Sequence, residues 1–314
     1  MAWITCAELV ATVSEAGGLG TLGPEAGMRS QGEADDLDAA EKYLREEIRR
    51  VKALTKKPFA VNFPIGWGKQ QIKYKRQIAV AISEGIKIAI VSMGSPELFT
   101  QELHGAGAKV IHVVASVKQA RKAEAAGVDA VVCMGYEAGG HLGVDEIPTF
   151  VLVPQIVDAI KIPVIAGGGI ADARGFVAAL ALGAEGVYMG TRFLATQECN
   201  CHPNMKEAVL AATDTSTAVF GRKTGISRCI KNAYTNQHMK LEASGASFEE
   251  LRDFERSAEN TGGWRRVPAA VFAGNIEHGS AACGAIAGII NDIPAAKEVI
   301  HRLVDGYEAL IATL

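Results

Sequence analysis

The sequence predicts an α/β fold on a parallel sheet, and three observations carry that expectation. Short apolar runs alternate with helical segments at a period of roughly 20–30 residues over the first two-thirds of the chain. The runs are near-continuously apolar, as strands covered on both faces must be. Several helical segments end in glycine just before the next run, at Gly85, Gly107, Gly127 and Gly183. Glycine takes the left-handed C-cap conformation cheaply. The pattern fits either a (β/α)8 barrel or an open doubly wound sheet.

The chain opens with MAWITCAELVATVSEAGG, a loop and then a helix. Strands are expected at 18–23 (GLGTLG), 58–65 (PFAVNFPI), 86–93 (IKIAIVSM), 109–115 (KVIHVVA), 130–134 (AVVCM), 163–166 (PVIA) and 186–189 (GVYM). A charged amphipathic helix is expected over 37–54, with Glu and Arg or Lys at helical spacing. Further helices are expected near 70–84, 96–105, 117–126, 150–160 and 173–182. That makes seven strands by Gly190, one short of a closed barrel. After Arg192 the rhythm changes. Residues 197–275 are polar and read as a small helical insertion, with a helix-start cue at Ser247 and Glu250. The expected division is a β/α unit of residues 1–196 and 276–314, with 197–275 as a lid over the active site. GSAACGAIAGII at 279–290 reads as a small-residue helix, and an amphipathic helix over about 295–313 closes the chain.

Composition narrows the function classes. With 48% hydrophobic and 21% charged residues, the chain can bury a core and is not disordered. Lys plus Arg is 32 and Asp plus Glu is 35, so no excess of positive charge invites nucleic acid. No apolar run reaches the roughly 18 residues of a membrane helix. The N-terminus has no basic flank and apolar core of a secretory signal. Six cysteines in a chain of 314 residues make no disulfide framework, which points to a reduced, cytoplasmic setting.

Parallel β/α proteins place their chemistry at the carboxyl ends of the strands. After PVIA come Gly167, Gly168 and Gly169, then a helix beginning near Asp172; after GVYM come Gly190 and Thr191. Glycines let the backbone approach an anion, and N–H groups at a helix start favour phosphate. These two loops are the expected phosphate cradle. After AVVCM the loop Gly135–Gly143 carries His141 among small residues that admit a flat ring. Histidine titrates near neutrality and serves as a general base or donor. Glu137 is either a polar contact to the ligand or an anchor of its own loop. Asn62, at the end of PFAVN, offers a donor and an acceptor to a heterocycle edge. Gln155 is a weaker inward-pointing amide. Lys223, Arg228 and Lys231 are either a solvated helix face or a contact for an anionic substrate or cofactor. Cys199, Cys201 and His202 form C-x-C-H without a second half, which is no zinc site.

Three long motifs carry a family resemblance: EAGGHLG at 137–143, IPVIAGGGIAD at 162–172 and ALGAEGVYMGTRFLAT at 181–196. MAW at the start, AGGLGTLG, PFAVN and HPN support it. The chain resembles the nitronate monooxygenases (2-nitropropane dioxygenases) and their sisters, the FMN-dependent enoyl-acyl-carrier-protein reductases. The resemblance implies a TIM-type (β/α)8 barrel with a helical insertion, binding FMN. It implies that Gly167, Gly168, Gly169, Gly190 and Thr191 hold the FMN phosphate. Asn62 meets the flavin ring, and Met1, Ala2, Glu137, Gly139, Gly140 and Met189 complete the cofactor site. His141 lies beside the reactive face as the catalytic residue. The implied reaction is oxidation of an alkyl nitronate with O2 to a carbonyl compound and nitrite. The alternatives are an NAD(P)H-dependent enoyl-thioester reductase, with acyl carrier protein as a partner, or an NADH:quinone reductase. A flavin- or phosphate-ligand-binding protein without turnover is the alternative of another class. A homodimer is expected.

Family members usually carry a short strand before this Met-Ala-Trp. About ten residues, enough for one strand and a turn, are therefore expected to be missing upstream of Met1. A seven-stranded barrel leaves an open edge beside the GLGTLG strand. Weaker FMN retention or poorer solubility than in an upstream-extended chain is the expected consequence.

Overall fold

The computed structural model describes residues 1, 3–66 and 68–313. Seven parallel strands form one sheet: β1 (Gly20–Leu22), β2 (Phe59–Pro64), β3 (Ile88–Ser92), β4 (Lys109–Val114), β5 (Ala130–Met134), β7 (Val164–Gly167) and β8 (Gly186–Tyr188). They pair in chain order, with β1 and β8 as the edges, and β6 (Gly140–His141) leaves the series. This curled sheet, wrapped by helices, is a TIM-type β/α fold. The strand count by Gly190 is the seven that the apolar runs predict.

Strand alternation builds two cores from one sheet. Val61, Phe63, Ala89, Val91, Val110, Val131 and Val164 point outward and pack under the helices. Ala60, Ile90, Ile111 and Val132 point inward, with Ile88, Val113, Met134, Ile165 and Tyr188 packed on them. The register sets these side chains side by side: Asn62 opposes Ile90, Ile90 opposes Ile111, and Gly167 opposes Tyr188. Asn62 therefore shares the inward parity of Ala60, one step nearer the carboxyl end.

The helices form where their periodicity places them. The helix Leu37–Leu54 starts at Asp36, whose carboxylate accepts from the N–H groups of Asp38 and Ala39 at 2.9 and 3.2 Å. It buries Ala40, Leu44, Ile48 and Val51, one apolar stripe at helical spacing. Arg45 and Arg49 on its outer face bind Glu84, at the end of the next helix (Lys69–Ser83).

Two expectations need correction. Residues 197–275 are not wholly helical. They hold β9 (Thr217–Phe220) and β10 (Ser227–Ile230), which pair antiparallel, and β10 also pairs with β6. Each strand has four residues, too few to show an alternation, and the partner strand lies far away in sequence. The segment 279–290 is not a regular helix either; only Ala285–Ile289 makes a 3-10 turn. Cys229 bridges Ala282, and a methyl on Gly279, Gly284 or Gly288 would strike neighbouring backbone within 3 Å. Close packing therefore dictates this path, and glycines at these points favour no helix.

Candidate functional site

The site begins with two adjacent strand ends. β7 runs into Gly168 and Gly169, both at positive φ (92° and 74°), a conformation that a side chain would oppose. β8 leads to Gly190 and the short helix Thr191–Leu194. Among the described residues, the N–H groups of Gly168, Gly169, Gly190 and Thr191 meet no protein acceptor. Met1 lies here too: a methyl on Gly190 would sit 3.7 Å from its side chain. Ala2 lies outside the described residues. Met189 packs its side chain into the hydrophobic cores.

The loop after β5 is fastened to these strand ends at several points. The Gly135 N–H donates to the Gly167 carbonyl at 2.8 Å. The Glu137 carboxylate accepts from the Thr149 N–H at 2.9 Å and from the Thr149 hydroxyl at 2.8 Å. Thr149 opens the helix Thr149–Ala159, and its hydroxyl also lies 3.1 Å from the Gly168 carbonyl. Glu137 thus orients its own loop, one of the two roles the sequence left open. Gly139 sits against Gly284: a methyl there would be 2.6 Å from the Gly284 nitrogen. The same segment donates from Gly284 N–H to the Thr191 hydroxyl at 2.9 Å and from Ala285 N–H to the Glu137 carbonyl at 2.9 Å. One strap, residues 283–285, ties the Glu137 loop to Thr191.

Gly140 and His141 form β6. His141 opposes Ser227 and Gly140 opposes Arg228 on β10, and the Leu142 N–H reaches the Ile226 carbonyl at 3.0 Å. His141 is exposed to solvent on one side, and the Gly225 turn packs against its ring on another. Burial lowers its pKa; the charge of Glu255 opposes that shift and Arg252 adds to it. The imidazole therefore favours its neutral form at neutral pH, the form that can accept a proton.

Sequence reasoning missed two residues here, Tyr188 and Tyr136, and did not foresee the pairing of Tyr136 with Arg228. Tyr188 faces the barrel axis, and burial pushes its phenol up to about 12. It remains an O–H group that can donate and accept. Inward parity in the GVYM strand is the signal that could have found it. Arg228 stacks over the Tyr136 ring at 4.8 Å and donates to the Tyr136 carbonyl at 3.0 Å. No local pattern announces that pair.

Other sequence candidates are placed elsewhere. Lys223 lies in a turn and donates to the Ala246 carbonyl, Arg228 lies on β10, and Lys231 is exposed just beyond it. They form no common helix face. Gln155 is exposed and bonds its own helix at the Val151 carbonyl. His202 accepts from the Asn204 N–H and caps the helix Pro203–Leu210. Cys199 and Cys201 lie sulfur to sulfur at 3.6 Å.

The family model described as nitronate monooxygenase matches residues 1–71 and 64–306. The chain belongs to the nitronate monooxygenase family. A probable nitronate monooxygenase of Staphylococcus aureus is 32% identical, with 88% of this chain and 85% of that protein covered. A (3aS,4S,5R,7aS)-5-hydroxy-7a-methyl-1-oxo-octahydro-1H-indene-4-carboxyl-CoA dehydrogenase of Mycobacterium tuberculosis is 33% identical, covering 97% of this chain and 90% of that one. The structure of FabK from Thermotoga maritima superposes with a TM-score of 0.86 at 37% identity, covering 100% of this chain and 92% of that chain. Nitroalkane oxidase from Streptomyces ansochromogenes shares the fold, with a TM-score of 0.80 at 24% identity and 100% and 96% coverage. This family member is an oxidoreductase. Among the described residues, no helix is long and apolar enough to cross a membrane.

Proposed function

We propose that this chain is an FMN-dependent nitronate monooxygenase that converts alkyl nitronates and O2 to a carbonyl compound and nitrite. The observation that carries the reading is the joint position of two features. Unpartnered N–H groups at Gly168, Gly169, Gly190 and Thr191 are tied, through Glu137, Thr149 and Gly284, to the loop that ends in His141. Those N–H groups suit a phosphate monoester, which needs donors and no side-chain bulk. They and Met1 would hold the FMN phosphate. Asn62 and Tyr188, inward at the strand ends, would meet the ring.

FMN supplies the electron-accepting chemistry when bound. The protein supplies the rest. His141, neutral at pH 7, removes the α-proton of a neutral nitroalkane at a ring nitrogen, or holds an already formed nitronate beside the flavin. Gly140, whose nearest neighbour is the Ala282 methyl, leaves room for a flat ring next to it, whereas the space at Gly139 is taken by the Cys283–Gly284 backbone. Residues 197–275 act as a lid, through the β6–β10 pairing, and limit water at the mouth. The six free, buried cysteines suit a cytoplasmic enzyme.

A second reading, reduction or oxidation at a thioester substrate with NAD(P)H or a quinone as redox partner, is favoured by the carboxyl-CoA dehydrogenase relative. Anaerobic mixing of the flavin-loaded protein separates the two. Bleaching of the flavin band by propane-2-nitronate but not by NADH supports the monooxygenase. Rapid bleaching by NADH alone overturns it in favour of the reductase. A purified protein with no 450-nm band removes the flavin altogether.

A further inference from the structure

The insertion buries a histidine between two carboxylates. His238 has no solvent exposure; its Nε2 lies 3.0 Å from Glu255 and its Nδ1 lies 3.5 Å from Glu242. Phe220, Tyr234 and Phe254 pack against its ring, with centroids 5.0, 6.2 and 6.1 Å away. Each carboxylate also holds one end of the same turn. Glu242 accepts from the Gly221 N–H at 3.1 Å, and Glu255 accepts from the Thr224 hydroxyl. The turn is closed by the Gly225 N–H donating to the Gly221 carbonyl at 2.7 Å.

That turn backs His141. A methyl on Gly225 would sit 3.9 Å from both Cδ2 and Nε2 of the His141 ring. Two residues further on, Ser227 pairs with His141 in the β6–β10 ladder. Burying charged groups among aromatic rings is costly, and apolar side chains of similar volume often serve stability as well or better. What apolar packing cannot do is fix a turn at two defined hydrogen-bonding points.

We propose that His238, Glu242 and Glu255 are positioning residues that clamp the Gly221–Gly225 turn and thereby set the orientation of the His141 ring. This rests on the reading of His141 as the proton-handling group. The charged groups acting on His141 are Glu255 and Arg252, both on the helix Phe248–Arg256. Glu255 in turn faces Arg252 at 2.9 Å, His238 and Thr224. Arg222, within the turn, points away to Glu146.

The test uses the flavin-loaded full chain and the variants Thr224→Val, Glu255→Gln and Glu255→Asp. Thr224→Val removes only the hydroxyl that joins the turn to Glu255, so it serves if Glu255→Gln fails to fold. Expected for Thr224→Val and Glu255→Gln is a kcat loss of about 10-fold with KM changed less than about twofold, a smaller loss than the roughly 10²-fold of a 1 Å misplacement because the ring is reoriented and not removed. Glu255→Asp restores part of the loss. The second readout is the His141 ring resonance in NMR, assigned by its disappearance in His141→Gln. It shifts in Thr224→Val and Glu255→Gln, and its titration midpoint falls in Glu255→Gln because a neighbouring negative charge is gone. A His141 resonance that stays at its wild-type position and midpoint in both variants overturns the proposal, even if melting temperatures drop. Unchanged turnover in His141→Gln overturns the catalytic reading instead, and the resonance still decides the positioning.

Discussion

Glu137 holds Thr149 through two hydrogen bonds, from its backbone N–H at 2.9 Å and its hydroxyl at 2.8 Å. The pair fastens the loop that carries His141 to the first turn of the helix Thr149–Ala159. The same Thr149 hydroxyl reaches the Gly168 carbonyl at 3.1 Å, so one side chain links the His141 loop to the glycine loop after β7.

Removing that link should cost stability first. Hydrogen bonds to a charged group contribute about 1.5–3 kcal/mol each, and Glu137→Ala loses both while freeing a helix-start N–H. A loss of about 2–4 kcal/mol follows, measured by urea denaturation of the flavin-free protein. Flavin retention on gel filtration should fall as well. A variant as stable as the parent would mean that the loop is held by other contacts.

His141→Gln should keep the flavin and lose most turnover. General acid–base groups contribute typically 10²–10⁴-fold. With a neutral nitroalkane as substrate, the pH profile tests the same group. Burial lowers the His141 pKa below its ordinary value of about 6.5. The base form is therefore retained as pH falls through 6.5, and kcat/KM should decline only on the acid side of that value. A limb above about 6.5 would contradict the lowered pKa.

Gly139→Ala probes the strap. The added methyl would lie 2.6 Å from both the Cys283 carbonyl carbon and the Gly284 nitrogen, backbone atoms that cannot rotate away. Overpacking of this kind costs roughly 1–3 kcal/mol. The expected outcome is a lower denaturation midpoint together with weaker flavin binding, since Gly284 also donates to Thr191.

Thiol labelling should be selective. Burial pushes Cys133, Cys229 and Cys283 up to about 12 and Cys6 up to about 11. Cys201 moves the other way, because Cys199 donates a hydrogen bond to its sulfur and Lys206 adds positive charge. The thiolate is the reactive form. Peptide mapping after brief iodoacetamide treatment of native protein at pH 8 should find Cys201 modified first. Equal labelling of all six would show that unfolding precedes reaction.

Much of the fold was legible because its signals are local. Glycine C-caps at Gly85, Gly107, Gly127 and Gly183 act over one helical turn, and seven apolar runs announce the seven strands of the sheet. Gly168, Gly169 and His141 could be chosen because strand ends carry function in such folds. The small sheet of β6, β9 and β10 was not legible. Its strands are two to four residues long, and Ser227 has no feature that names His141 as its partner.

The sequence by itself determined the class of fold, the position of the glycine loops and the candidate histidine, since periodicity and capping are written within a few residues. Only the tertiary structure decided what holds them in place: Thr149 on Glu137, Gly284 between Gly139 and Thr191, and the Gly221–Gly225 turn behind His141. Those contacts join segments far apart in the chain, and their partners are small or common residues. Their meaning comes from a hydrogen-bonding direction or a missing side chain at close range, and that exists only once the chain has folded.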